Sequence, residues 1–205
     1  MIPRMVQLPW YRGDRLPGST ISVFSEPDDY QAALRSDGGF DLFVEGRGEF
    51  SAQLTRVELP RMHLMAGAEH LARIAFVSQP NRFVRISLPL RGSVPVFRNG
   101  IPTRADEIMT HGQGQPMHER TEGPCCWRTI GLPVPDLIRY GRAIIGAGFQ
   151  VPLRTCRWRP PRAALRQLIR LHDDATRMSR VQPSVVTAAE ATRGLQQELI
   201  DGLLE

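Results

Sequence analysis

The hydrophobic period of this chain changes at Pro133, and that change limits the possible folds more than any other feature. From Phe40 to Leu132, apolar and polar residues alternate in short runs. Alternation places successive side chains on opposite faces of a strand. Strands are predicted at Phe50 to Leu59, Arg61 to Met65, Leu71 to Val77, Phe83 to Leu88, Val94 to Phe97, Glu107 to Thr110, Met117 to Thr121 and Cys126 to Ile130. Turn signals separate them: Gly46-Arg47-Gly48, Gly67, Gln79-Pro80-Asn81, Arg91-Gly92, Asn99-Gly100 and Gly112 to Gly114. Asn99-Gly100 is the sharpest, because a type I′ hairpin turn needs positive φ at both central residues. Many short strands at this spacing predict a sandwich or barrel.

After Pro133 the period becomes helical. Pro135 to Ile145 predicts a helix stopped by Gly146. Pro160-Pro161 opens a longer one, with Leu165, Leu168, Ile169, His172 and Ala175 on one face and Arg162, Arg166, Arg170 and Asp173 on the other. Ala188 to Glu205 predicts another, with the stripe Leu195, Leu199, Ile200 and Leu203. A short helix is expected near the start, where Ser25 precedes Glu26-Pro27-Asp28-Asp29, and Tyr30, Ala33 and Leu34 share a face. The first twenty residues, with Pro3, Pro9 and Pro17, lack a period and read as a loosely attached arm. The fold class is therefore α+β, mainly β: a β body in residues 1–132 and a helical segment in 133–205.

Composition narrows the function classes. With 205 residues, 41% of them hydrophobic, one core needs no covalent or metal staple. Cys125, Cys126 and Cys156 have no regular spacing, which argues against a disulfide framework. The formal charge is +5, but all 26 basic residues are arginines scattered along the chain with no docking module. The chain is thus expected to bind duplex DNA only weakly and without sequence preference. The first residues have no apolar signal region and no run spans a membrane, so a cytoplasmic protein is expected.

Three stretches carry a family resemblance. They are Ala52 to Leu64, Val94 to Pro116, and His118 to Pro124 followed by Trp127 and Leu132-Pro133-Val134-Pro135-Asp136-Leu137. Their order resembles the N-terminal half of AraC-type (AraC/XylS) bacterial transcription regulators, over roughly residues 20–200. The resemblance implies a cupin-like β-barrel of jelly-roll type, a small-molecule effector pocket inside it, and a C-terminal helical pair that forms a homodimer. It also implies downstream helix-turn-helix motifs, and no segment here has that pattern. The expectation is the sensing and dimerising half of a regulator, which meets DNA only through a helix-turn-helix domain beyond it.

Alternation nominates Met65, Arg85, Phe97, Met117, His118 and Trp127 as effector-pocket residues. An inward Arg85 suits a carboxylate through a bidentate pair. The run Phe83 to Leu88 equally allows Val84 and Ile86 to point inward and Arg85 outward. Two apolar helical stripes exceed what a barrel's outer surface needs, so Leu165, Leu168, Ile169 and His172 are expected in an isologous dimer contact, with Leu165 and Leu168 near its centre. The alternative function is a metal-dependent cupin enzyme using His111, His118 and Glu119. Against it, no His-x-His places two imidazoles on one strand face. Gly112-Gln113-Gly114 and Gly146-Ala147-Gly148 lack the strand-to-helix context of a phosphate loop, and no nucleophile elbow occurs. Neither catalytic residues nor a metal or cofactor is expected, and the effector's identity stays open.

Overall fold

A computed structural model describes residues 17–35, 38–78, 82–90 and 94–204. Most of the expected N-terminal arm and the turn signals Gln79-Pro80-Asn81 and Arg91-Gly92 lie outside them. The chain runs β1 (Gly18–Phe24), α1 (Pro27–Arg35), β2 (Gly39–Val44), β3 (Ala52–Leu59), β4 (Met62–Glu69), β5 (Arg73–Ser78), β6 (Phe83–Leu88), β7 (Phe97–Arg98), β8 (Ile101–Pro102), β9 (Ile108–Thr110), β10 (Pro116–Arg120), β11 (Cys125–Pro133), α2 (Val134–Ile144), β12 (Cys156–Trp158), α3 (Arg162–Val181) and α4 (Ala189–Leu204). The strands form two antiparallel sheets, ordered β1-β3-β4-β11-β6-β9-β12 and β2-β5-β10-β7-β8. The architecture is the expected one, a cupin-like double-sheet body with C-terminal helices, although its strands make two sheets and not one closed hydrogen-bonded ring.

Local chemistry accounts for the elements. Asn99 and Gly100 have φ of 48° and 78°, the two positive values that the β7–β8 turn requires. Asp28 and Asp29 lie in the first turn of α1 and Arg35 in its last, each matched to the helix dipole. Four strands, β1, β2, the two-residue β8 and β12, escaped the sequence reading. β1 is an edge strand whose Val23 is 72% exposed, so it shows no clean inward face. β2 opens the alternating region, and β12 has only three residues, with Cys156 opposite Thr110 on β9. Val94 to Val96, expected to be strand, is irregular.

The seven-stranded sheet is buried on both faces. On one side Val57, Leu59, Leu64, Val84, Ile86, Ile130 and Leu132 pack against Leu137, Leu165, Leu168, Leu199 and Ile200 of the helices. On the other side Ala52, Leu54, Met65 and Met109 meet Phe40, Ala75, Val77 and Met117 of the second sheet. Tyr30 and Leu34 of α1 complete that inner core.

This packing corrects the expected dimer contact. Leu168 and His172 are fully buried and Leu165 is 7% exposed, all against the protein's own sheet or helices. Ile169 is half-buried at the edge of the same core. The sheet's outer face accommodates both helical stripes, because α3 and α4 pack closely where Gly202 admits Leu168. No helix among the described residues is long and apolar enough to cross a membrane.

Candidate functional site

Between the sheets lies a buried network of charges. Glu69, at the end of β4, accepts four donors: Tyr30 Oη at 2.7 Å, Trp127 Nε1 at 2.7 Å, Arg73 Nε at 2.5 Å and Cys125 Sγ at 3.3 Å. Arg73 also donates through Nη2 to Glu119 at 3.0 Å, and Arg98 Nε donates to Glu119 at 2.8 Å. Burial alone would lift the Glu119 pKa, but Arg98 and Arg73 overcome it and hold the carboxyl well below its usual range. Burial likewise opposes the charge on Arg73, and Glu69 and Glu119 reverse that effect. Burial and then Glu69 push the Tyr30 hydroxyl and the Cys125 thiol upward, so both stay protonated donors. Buried charges of this kind are tolerable only when paired and hydrogen-bonded.

The network borders a two-chambered interior. The inner chamber, about 30 Å³, is room for roughly two waters. Its wall includes Met65, Arg73, Arg85, Arg98, Met117 and Glu119. The outer chamber holds about 240 Å³, and Leu88, Leu90, Val94, Val96, Ile108 and Met109 line it together with the polar side chains of Thr103, Arg104, Glu107 and Arg157. Ser87, Arg98 and Trp127 line both chambers and so form the partition. Trp127 lies opposite Gly67 on β4, and a Cβ at residue 67 would collide with the indole. Arg104, Arg157 and Glu107 stand at the outer rim, with Arg159 Nη2 2.9 Å from Glu107.

Of the six residues nominated from sequence, Met65, Arg85, Met117 and Trp127 line the inner chamber. Phe97 and His118 do not. Arg98 occupies the inward position of β7, so its neighbour Phe97 points the other way. His118 lies on the outer face of the second sheet, its ring 5.1 Å from that of the exposed Phe76. The residues missed were Glu69, Arg73 and Arg98. The first two carried a signal: Glu69 is in phase with Met65, and Arg73 with Ala75 and Val77, so period two already placed both charges inward.

The metal-enzyme alternative is corrected by the same alternation. His118 and Glu119 are adjacent on β10 and face opposite sides, while Glu119 is committed to two arginines. Among the described residues, no three His, Cys, Asp or Glu side chains converge on one point. His111 Nε2 lies 2.7 Å from Ser87 Oγ, a spacing that suits a nucleophile and its base. Burial, with Arg98 and Arg85 nearby, lowers the His111 pKa to about 3, which makes it too weak a base to activate a hydroxyl at neutral pH. The pair is better suited to hydrogen-bonding a ligand.

Fold and interior together define a class: a cupin-like body with a charged, two-chambered cavity between its sheets and a helical layer outside them. The same fold is found in the AraC-like transcriptional activator CuxR, 14% identical, with a TM-score of 0.62 over 92% of this chain and 68% of that one. A putative ethanolamine utilization protein q from Salmonella typhimurium (13% identity, TM-score 0.31, 47% of this chain and 97% of that one) is more distant. So is a vicilin from the hazelnut Corylus avellana (10% identity, TM-score 0.30, 70% of this chain and 50% of that one). No family model matches the chain, and no curated protein matches its sequence.

Proposed function

We propose that this chain is the effector-sensing and dimerisation domain of an AraC-type transcription regulator, which controls gene expression in response to a small molecule in the cytoplasm. One observation carries the reading: this chain has the fold of CuxR, and two neighbouring chambers in it share Arg98, Ser87 and Trp127 in their walls. A concave cavity with convergent polar groups beside apolar wall is a form that small-molecule sites take. Sequence-selective DNA contact belongs to a separate reading unit, and this domain contributes effector response and pairing. A thermal-shift screen of acids, sugars and aromatics tests the sensing role, since a ligand bound only by the folded state raises the midpoint. Absence of any stabilising compound would count against it.

The homodimer is placed on the outward faces of α3 and α4. Arg162, Arg166 and Arg170 form an exposed stripe on α3, and Glu190 and Glu198 are exposed on α4. A two-fold axis sets each patch against its complement. Light scattering at micromolar concentration should show a dimer that charge reversal at Arg166 and Arg170 weakens. A monomeric wild type would remove this part of the proposal.

A further inference from the structure

The inner chamber is walled by hydrogen-bonding groups that the protein leaves unspent. Arg73 Nη1, His111 Nδ1 and Thr129 Oγ1 are buried without a hydrogen-bond partner among the described residues, and all three residues line this one chamber. Arg98, in the same wall, gives Nε to Glu119, and its two terminal nitrogens have no partner among the described residues. Each of the four residues is more than nine-tenths buried. Buried polar groups are nearly always satisfied in native proteins, so orphans gathered around one small space point to an occupant.

The groups come from both sheets. Thr129 on β11 stands opposite Ser87 on β6, and His111, whose Nε2 lies 2.7 Å from Ser87 Oγ, follows β9. Arg73 on β5 and Arg98 on β7 approach from the second sheet, with Glu119 between them. Their chemistry selects the occupant. Guanidinium nitrogens only donate, so Arg73 and Arg98 need an acceptor, whereas the Thr129 hydroxyl and the neutral His111 ring adapt to either role. An ammonium head would set donors against donors. At about 30 Å³, the chamber takes a head of roughly two heavy atoms. The outer chamber, about 240 Å³, exceeds the cavity of about 150 Å³ that takes benzene, so it has room for a ring.

We propose that the inner chamber seats the carbonyl-type oxygen of a small organic ligand (a ketone, amide or carboxylate), whose body occupies the outer chamber. The oxygen accepts from Arg98 and Arg73 on one side, and Thr129 and His111 close around the head from the other. Trp127, in the wall of both chambers, flanks the atoms that join head to body. The head group so assigned rests on the reading of the cavity as an effector site and adds the polar group by which the effector is recognised. No charge on the ligand is required, because a guanidinium donates to a neutral carbonyl as well as to a carboxylate.

Four probes of similar shape test this on the full chain by calorimetric titration and thermal shift: acetophenone, benzoate, ethylbenzene and benzylamine. Acetophenone, benzoate or both should bind and raise the unfolding midpoint, and the tighter of the two shows whether the preferred head is neutral or ionised. Ethylbenzene should bind at least about 10-fold more weakly, because the bond to a charged donor is lost, and benzylamine should not bind. Arg98→Lys keeps a charge beside Glu119 but removes the free fork, and should weaken binding about 10-fold. Thr129→Val removes a hydroxyl without a partner among the described residues, so its midpoint without probe should equal or exceed that of the wild type, while binding weakens about 5-fold. Ethylbenzene or benzylamine binding as tightly as the carbonyl probes, a sugar binding where acetophenone and benzoate fail, or full affinity in both variants overturns the carbonyl assignment and leaves the effector-site reading standing. If carbonyl compounds, hydrocarbons, amines and sugars all fail, both readings fall.

Discussion

His172 Nε2, on α3, lies 3.2 Å from the carbonyl oxygen of Met65 on β4 and 3.3 Å from that of Thr129 on β11. Met65 and Thr129 are opposite each other in the ladder, and both line the inner chamber. One buried imidazole therefore ties the helical layer to the strands that form the chamber wall. Replacing it by alanine removes these bonds and leaves a void in a fully buried site. His172→Ala should cost about 3 kcal/mol, by analogy with large-to-small core substitutions. Urea unfolding measures this, and a cost under about 0.5 kcal/mol, as at an ordinary surface site, would show that the contact contributes little.

Leu165 and Leu168 separate an internal core from a dimer surface. The double substitution Leu165→Asp, Leu168→Asp places two charges in the core between α3 and the sheet, and should abolish folding, since unpaired buried charges cost several kcal/mol each. Circular dichroism and light scattering read the result together. A native spectrum from a monomeric double variant would put these leucines back on an external face.

Glu119 holds Arg73 and Arg98 together in the interior. Glu119→Gln keeps the shape and removes the charge, leaving two guanidinium groups short of a partner. The expected loss is about 3–5 kcal/mol, the range for breaking one side of a buried pair. Denaturant titration at fixed pH checks it. Stability equal to wild type would mean that the arginines find water or another acceptor at no cost.

Acid should destabilise the protein well before its carboxylates protonate. Burial, with Arg128 nearby, lowers the His172 pKa to about 4, and burial lowers that of His111 to about 3. The unfolded chain takes up a proton at each near pH 6.5, and the folded chain does not. Stability is therefore highest above pH 6.5 and falls below it, by up to about 1.4 kcal/mol per pH unit for each histidine, until the folded value is reached. Glu119, whose folded pKa is depressed, adds its own loss only below about pH 4.5. Unfolding midpoints at pH 7.5 and 5.0 measure the slope, and His172→Leu should reduce it by about half. A flat profile across that interval would mean that both rings titrate normally.

Much of the architecture was legible locally. Asn99-Gly100 specified its turn because positive φ at two successive positions excludes most other pairs. The eight alternating runs include the cores of both sheets, and Pro133 marks the passage to helices because its fixed geometry starts α2. Met65, Met117 and Trp127 line one chamber. Glu69, Arg73 and Glu119 were readable in principle, being charges in phase with inward apolar residues.

The strand Phe83 to Leu88 shows where local reading stops. Its text offers an apolar face, Val84 and Ile86, and a polar face, Arg85 and Ser87. A sheet buried on one side would turn the apolar face to the core. This sheet is covered on both sides, so Val84 and Ile86 meet the helices while Arg85 and Ser87 line the chamber. The same coverage took Leu165, Leu168 and His172 out of any dimer contact. Sequence alone determined the long strands, the Asn99-Gly100 turn and the helices, because φ/ψ preference and period act over a few neighbours, whereas the edge and short strands β1, β2, β8 and β12 depend on the partners they pair with. Tertiary structure alone decided which face became the cavity, because that depends on what packs against each side, and period two treats the two sides alike.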